Sequence, residues 1–564
     1  MKISFSTARL FLLLLLVLSC ERKKEENQID KEIQSIDLSR GDIALCGADN
    51  GQFGKVEFSL SCAEKVRADF NLATSLLHSF EYVEAEKVFA KVIDEDPKCV
   101  MAYWGVAMSN FHPLWASPTK SDLQKGSKIV ALARSLESKS SRETEYLEAI
   151  ATIYDDWDKL DHRTRARKFK KASERIYRKY PKDDEAAIFY ALALRATADP
   201  SDKSFRDQRL AGEILSSIFI REPNHPGIAH YIIHTYDYPG LAHLGLSAAR
   251  KYASIASASA HAQHMPSHIF TRLGLWDECI QSNINSIAAA QCYAQNVGIK
   301  GHWDEELHGM DYLVYAYLQE SQDEKAEEQV NYLATIDEVF PINFKDAYSL
   351  ASIPTRFALE RKDWHAAAKL ELRPANFPWD KFLWEKANVN FGRLLGAVHT
   401  QQLDKAKSEL AQLRAIQTKL LESNENYKAN LVLIQVMTSE AWIKFTEGQK
   451  IEGIKLMIEA ATNEDATEKD SVTPGEVIPA RELLGDMYLE MGDVTRALQA
   501  YEGDLKRHPG RFNGLYGAGL AEEKLGDAKM AIFYYRQLLA LTSRSSIPRS
   551  QQKAAELFIR NSKS

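Results

Sequence analysis

Apolar residues recur at three- and four-residue intervals through most of the chain, as in Phe169, Ala172 and Ile176 or Ala211, Leu215 and Ile218, and that spacing predicts amphipathic helices. No stretch alternates apolar and polar residues over a strand-rich region, so the predicted class is all-α. A longer period lies over the short one. Counted from Ile478, Leu484, Gly485, Tyr488, Gly492, Ala497, Tyr501 and Pro509 fall at positions 7, 8, 11, 15, 20, 24 and 32. A shift of 34 residues places Gly519, Gly526, Ala531 and Tyr535 at positions 8, 15, 20 and 24. Small residues at 8 and 20 let two helices approach, large ones at 11 and 24 fill the space between neighbours, and proline at 32 stops the second helix.

The same register runs from Val66, with Leu72, Ala85, Phe89 and Pro97, and continues from Val100 through Tyr103, Val106 and Ala107. Pro223 marks another position 32, so the next unit starts at Pro226 and the one after it at Ala260, with Phe270, Gly274 and Cys279 in register. After an insertion around 297–303, a unit starts at Leu307, with Leu313, Tyr317 and Ala326. This pattern resembles the tetratricopeptide repeat, which implies a helix-turn-helix solenoid (superhelix), in one arm or two. The expected division is a signal segment 1–19, a tether and lead-in 20–65, a repeat array 66–340, divergent helical repeats 341–470, and a clean C-terminal pair with its cap, 471–564.

Nine of the fifteen histidines lie between His225 and His308. The resemblance implies that positions 2, 5, 9, 12 and 13 of each first helix line a concave wall. On that count His230, His234 and Asp237 share a stripe of one helix, at roughly 60° or less from one another. His264, His268, Thr271 and Arg272 occupy like places in the next unit, and His308, Asp311 and Tyr315 in the one after. First helices of neighbouring repeats pack about 8 to 10 Å apart, so these groups can converge. His230, His234, His264, His268 and Asp311 form a candidate ligand set for Zn, Cu, Ni or Fe, with Asp237 in or behind it. Pro266 stands between His264 and His268, where a helix start would disturb their spacing. His225, His243, His261 and His302 fall at turns or second helices and are expected to be capping or surface residues. The stripe Trp104, Met108, Phe111 and His112 reads as core or as an aromatic platform.

Length and charge narrow the options. With 564 residues the chain exceeds a single compact core, and a net charge of −7 with pI near 6.2 argues against a nucleic-acid partner. The local basic run Arg163–Lys179 reads as a solvated helix face. At the amino terminus Lys2 and Arg9 precede the apolar run Leu10–Leu18, and Val17-Leu18-Ser19-Cys20 resembles a bacterial lipobox, which implies lipidation of Cys20. An ordinary secretory signal is the alternative. Export places the protein in an oxidising compartment, the bacterial cell envelope, with the lipid as membrane anchor. There Cys62 and Cys99, 37 positions apart and close to one repeat length, are a candidate disulfide, with Cys46 competing for Cys62.

Familiar catalytic signatures are missing: HMPSH lacks the glutamate of HExxH, and Gly517-Ala518-Gly519 follows no strand. The expected function is a lipid-anchored scaffold binding a protein, peptide or small ligand in a histidine-rich groove. The rival is a metal-dependent, hydrolase-like enzyme using the groove histidines as ligands, with Asp237 or His308 as acid or base.

Overall fold

The computed structural model describes residues 29–44, 46, 53–114, 117–136 and 140–562. The signal segment, Cys20 and the first part of the tether lie outside the described residues. Among the described residues the chain is built of helices joined by short turns, apart from one pair of two-residue parallel strands, His302–Trp303 with Val339–Phe340. Many consecutive helices pack on each other, as Arg67–His78 does on Tyr82–Glu95 and Val494–Arg507 on Phe512–Leu525. No described helix is long and apolar enough to cross a membrane.

Two compact units emerge, one holding 53–235 with 29–44, the other 236–562 with Cys46. The division falls at Thr235, so the boundary expected at 340 lies inside the second unit. Residues 471–564 belong to that second unit too, and Trp276 shows how they are held: its indole N–H donates to the Gly510 carbonyl at 2.8 Å.

The repeat positions behave as their sizes require. Gly485 and Gly517 face the Tyr501 ring and Gly519 faces Tyr535 so closely that a methyl group at any of them would overlap the ring. Ala497, Tyr501, Ala531 and Tyr535 are buried. Gly492 ends its helix at φ 79°, a left-handed conformation that costs glycine little, and the Asp493 side chain then caps the next helix through the Arg496 N–H.

In the first unit Trp104, Met108 and Phe111 are buried in the core, which settles their stripe as packing. The helix His162–Lys179 buries Phe169, Ala172 and Ile176 and leaves Arg163, Arg167, Lys168, Lys171, Arg175 and Arg178 exposed, while Arg165 turns inward to backbone carbonyls. Cys62 is bonded to Cys99, and Cys46 is bonded to Cys292, a partner that repeat spacing did not suggest. Closing a loop of the Cys62–Cys99 size contributes about 3 to 4 kcal/mol. Cys279 is a buried free thiol whose pKa burial pushes up to about 12.

Candidate metal centre

Three helices of the second unit carry the site. His264 ends Ala260–His264, His268 lies in Pro266–Leu273, and His308 lies in Asp304–Gln319. Pro266 does break the helix, but Met265 stays right-handed helical at φ −52° and ψ −36°, so the chain keeps its helical course through the junction. The i, i+4 relation therefore survives, and the two Nε2 atoms stand 3.1 Å apart. His308 packs its ring 4.2 Å from that of His264, and the three residues offer ligand atoms within 4.8 Å of one another.

The other side of two of the imidazoles fixes their tautomer, while the His308 Nδ1 is buried without a hydrogen-bond partner. The His268 Nδ1 is 3.0 Å from Asp237 Oδ2, and a carboxylate only accepts, so Nδ1 carries the proton. The His264 Nδ1 is 2.7 Å from Asn283 Oδ1, and Asn283 is oriented by its own Nδ2 donating to the Cys279 carbonyl. His264 therefore also donates through Nδ1. On those tautomers both Nε2 atoms turn lone pairs towards each other at hydrogen-bond distance, where a cation could be held between them. Burial and the neighbouring His308 and His268 hold His264 well below the ordinary imidazole range. Burial does the same to His308 and lowers His268, against the pull of Asp237. Neutral imidazoles with second nitrogens hydrogen-bonded to a carboxylate or amide are what Zn, Cu, Ni or Fe(II) sites use. An ion about 2.0 to 2.1 Å from each nitrogen spaces tetrahedral donors about 3.3 Å apart, close to the spacing found.

Asp237 anchors this arrangement. It accepts from Arg272 Nε at 2.8 Å and from Lys469 Nζ at 3.1 Å, and although burial would raise its pKa, those cations and His268 hold it well below the usual carboxylate range. Arg272 is therefore a support for the histidines, buried at 6% exposure.

In the second unit the positions expected on an open wall, His264, His268, Thr271, Arg272, His308, Asp311 and Tyr315, are instead buried by that unit's own chain. The Tyr312 hydroxyl donates to the Thr473 carbonyl, Lys469 reaches Asp237, and Arg356 donates to the carbonyls of Gly475 and Glu476, so segment 467–478 lies over the histidine helices. Asp311, expected as a metal ligand, is drawn elsewhere: its Oδ1 accepts from Ser352 at 2.9 Å and faces Arg356 Nε at 3.6 Å. The Tyr315 hydroxyl accepts from Arg511, whose guanidinium also pairs with Glu360 and Glu482. Tyr315 is taken up in that network, while the second Asp311 oxygen is buried without a hydrogen-bond partner.

His230 and His234 belong to the first unit, where their Nε2 atoms are 3.1 Å apart and the His230 Nδ1 donates to the His78 carbonyl at 2.7 Å. His225 and His261, expected at the surface, are buried: His225 bonds Glu185 and His261 faces Glu305 at 3.7 Å. His243 is exposed, and His302 pairs with Glu306 at 3.0 Å. Sequence reasoning missed Asn283 and Lys469 because the repeat puts them on a second helix and in a linker.

Fold and site together define an all-α repeat protein with a buried three-histidine cluster. A family model described as Tetratricopeptide repeat matches residues 483–546, and such repeats commonly bind protein partners. Comparison with curated proteins finds no match. Among solved structures, the chain is similar to the human IFIT1 dimer with m7Gppp-AAAA at 12% identity, covering 86% of this chain and 96% of that one, with a TM-score of 0.33. Similarity to Naa15/Naa10 bound to HypK-THB has 12% identity, 88% and 72% coverage, and a TM-score of 0.22. Likenesses this distant carry nothing about what those proteins bind.

Proposed function

We propose that this chain is a lipid-anchored repeat scaffold of the bacterial cell envelope that engages a protein partner and holds a transition-metal ion on His264, His268 and His308. The observation that carries the metal is the pair of Nε2 lone pairs facing each other at 3.1 Å while both Nδ1 atoms donate outward. Three protein nitrogens leave a fourth position, and an ion so held, buried under the chain, would brace the histidine helices against one another. The scaffold reading is preferred to the hydrolase reading because the three ligands are at most 3% exposed and segment 467–478 lies over their helices. Anchoring through Cys20 rests on the lipobox pattern alone.

Metal analysis of tag-free protein tests the ion: wild type retains it, and a His264→Ala/His268→Ala variant loses it. Equal metal content in both preparations sinks the assignment. Radiolabelled palmitate incorporated by wild type and lost in Cys20→Ala tests the anchor, and an unlabelled wild type rejects it.

A further inference from the structure

A second cluster lies wholly in the first unit. His78 ends the helix Arg67–His78, Glu185 sits in the first turn of Asp184–Thr197, and His225 directly precedes Pro226–Tyr236. Glu185 stands between the two imidazoles, Oε2 3.0 Å from His78 Nε2 and Oε1 2.9 Å from His225 Nε2. One ligand atom from each lies within 4.8 Å of the others, and no member is more than 5% exposed.

The three side chains are donor types that a transition-metal ion takes. The His225 Nδ1 adds a buried polar atom with no hydrogen-bond partner. Outer support is present at His78, whose Nδ1 lies 2.9 Å from the Tyr231 hydroxyl. With an ion on both Nε2 atoms, that Nδ1 would carry the proton and donate to Tyr231, as second nitrogens of metal-bound histidines do.

Glu185 and His225 also line a cavity of about 580 Å³, whose walls include Arg142, Lys179 and Lys182. Two histidines and one carboxylate bind zinc or ferrous iron and leave coordination positions open. We propose that His78, Glu185 and His225 form a second transition-metal site, taking zinc or ferrous iron, with its open side towards this cavity.

The test uses full-length, tag-free protein stripped with chelator and dialysed against Zn²⁺, or anaerobically against Fe²⁺, with metal counted per chain. Glu185→Gln and His225→Gln should each bind one ion fewer than their parent, with unchanged helical circular dichroism. The same deficit should appear in the His264→Ala/His268→Ala background, which separates this site from the one in the second unit. Stoichiometry unchanged by either substitution overturns the proposal. If both substitutions prevent folding, Co²⁺ is titrated into the His264→Ala/His268→Ala protein. A ligand-field band there that is lost on adding His78→Gln supports the site, and a band absent, or unaltered by His78→Gln, overturns it.

Discussion

Replacing Asp237 by asparagine removes one charge while preserving shape, and the structure says what should follow. One carboxylate oxygen receives Arg272 Nε at 2.8 Å; the other receives His268 Nδ1 at 3.0 Å and Lys469 Nζ at 3.1 Å. Every neighbour is a donor, so whichever way the amide turns, its NH₂ group meets another N–H. If the NH₂ faces His268, the imidazole must move its proton to Nε2, and that nitrogen no longer offers a lone pair. Loss of such an outer partner costs roughly 10- to 100-fold in metal affinity, or about 1.4 to 2.7 kcal/mol. The metal-free protein should also lose about 3 to 5 kcal/mol, since Arg272 and Lys469 keep their buried charges without a counter-charge. Competition of Zn²⁺ against a chromophoric chelator measures the first quantity, and urea unfolding in excess chelator the second. A folded Asp237→Asn protein that binds Zn²⁺ within twofold of wild type would refute the argument that this carboxylate sets the His268 tautomer.

Two further outcomes follow from buried charges elsewhere in the second unit. Burial and the neighbouring Asp304 push Asp346 up to about 8, so the folded protein holds a proton there that the unfolded chain releases near pH 4. A raised carboxyl pKa stabilises below the unfolded value, and the benefit is lost as pH rises through the folded value. Urea midpoints should therefore fall between about pH 4 and pH 8, and Asp346→Asn should flatten that slope; an unchanged slope rejects the assignment. Arg511 pairs with Glu360 at 2.8 Å and Glu482 at 2.9 Å at full burial, so Arg511→Met should cost about 3 to 5 kcal/mol in urea unfolding by stranding two carboxylates. A loss under 1 kcal/mol would show the network to be dispensable.

Helix content, repeat register and the small-large packing of Gly485 against Tyr501 or Gly519 against Tyr535 were legible in the sequence, because each depends on residues about one repeat apart or less. The same counting singled out His230, His234, His264, His268 and Asp311 as a ligand set, with His308 beside them; of these, His264, His268 and His308 offer ligand atoms within 4.8 Å of one another. Only tertiary structure decided that Asp311 turns to Arg356, that Lys469 of a linker supports Asp237, that Asn283 orients His264, and that Cys46 finds Cys292. It also joined His78 to Glu185 and His225, residues 107 or more positions from the first of them. A repeat's period specifies which face a side chain occupies; whether that face meets water or the chain's own linker depends on contacts between distant segments, which no local pattern encodes.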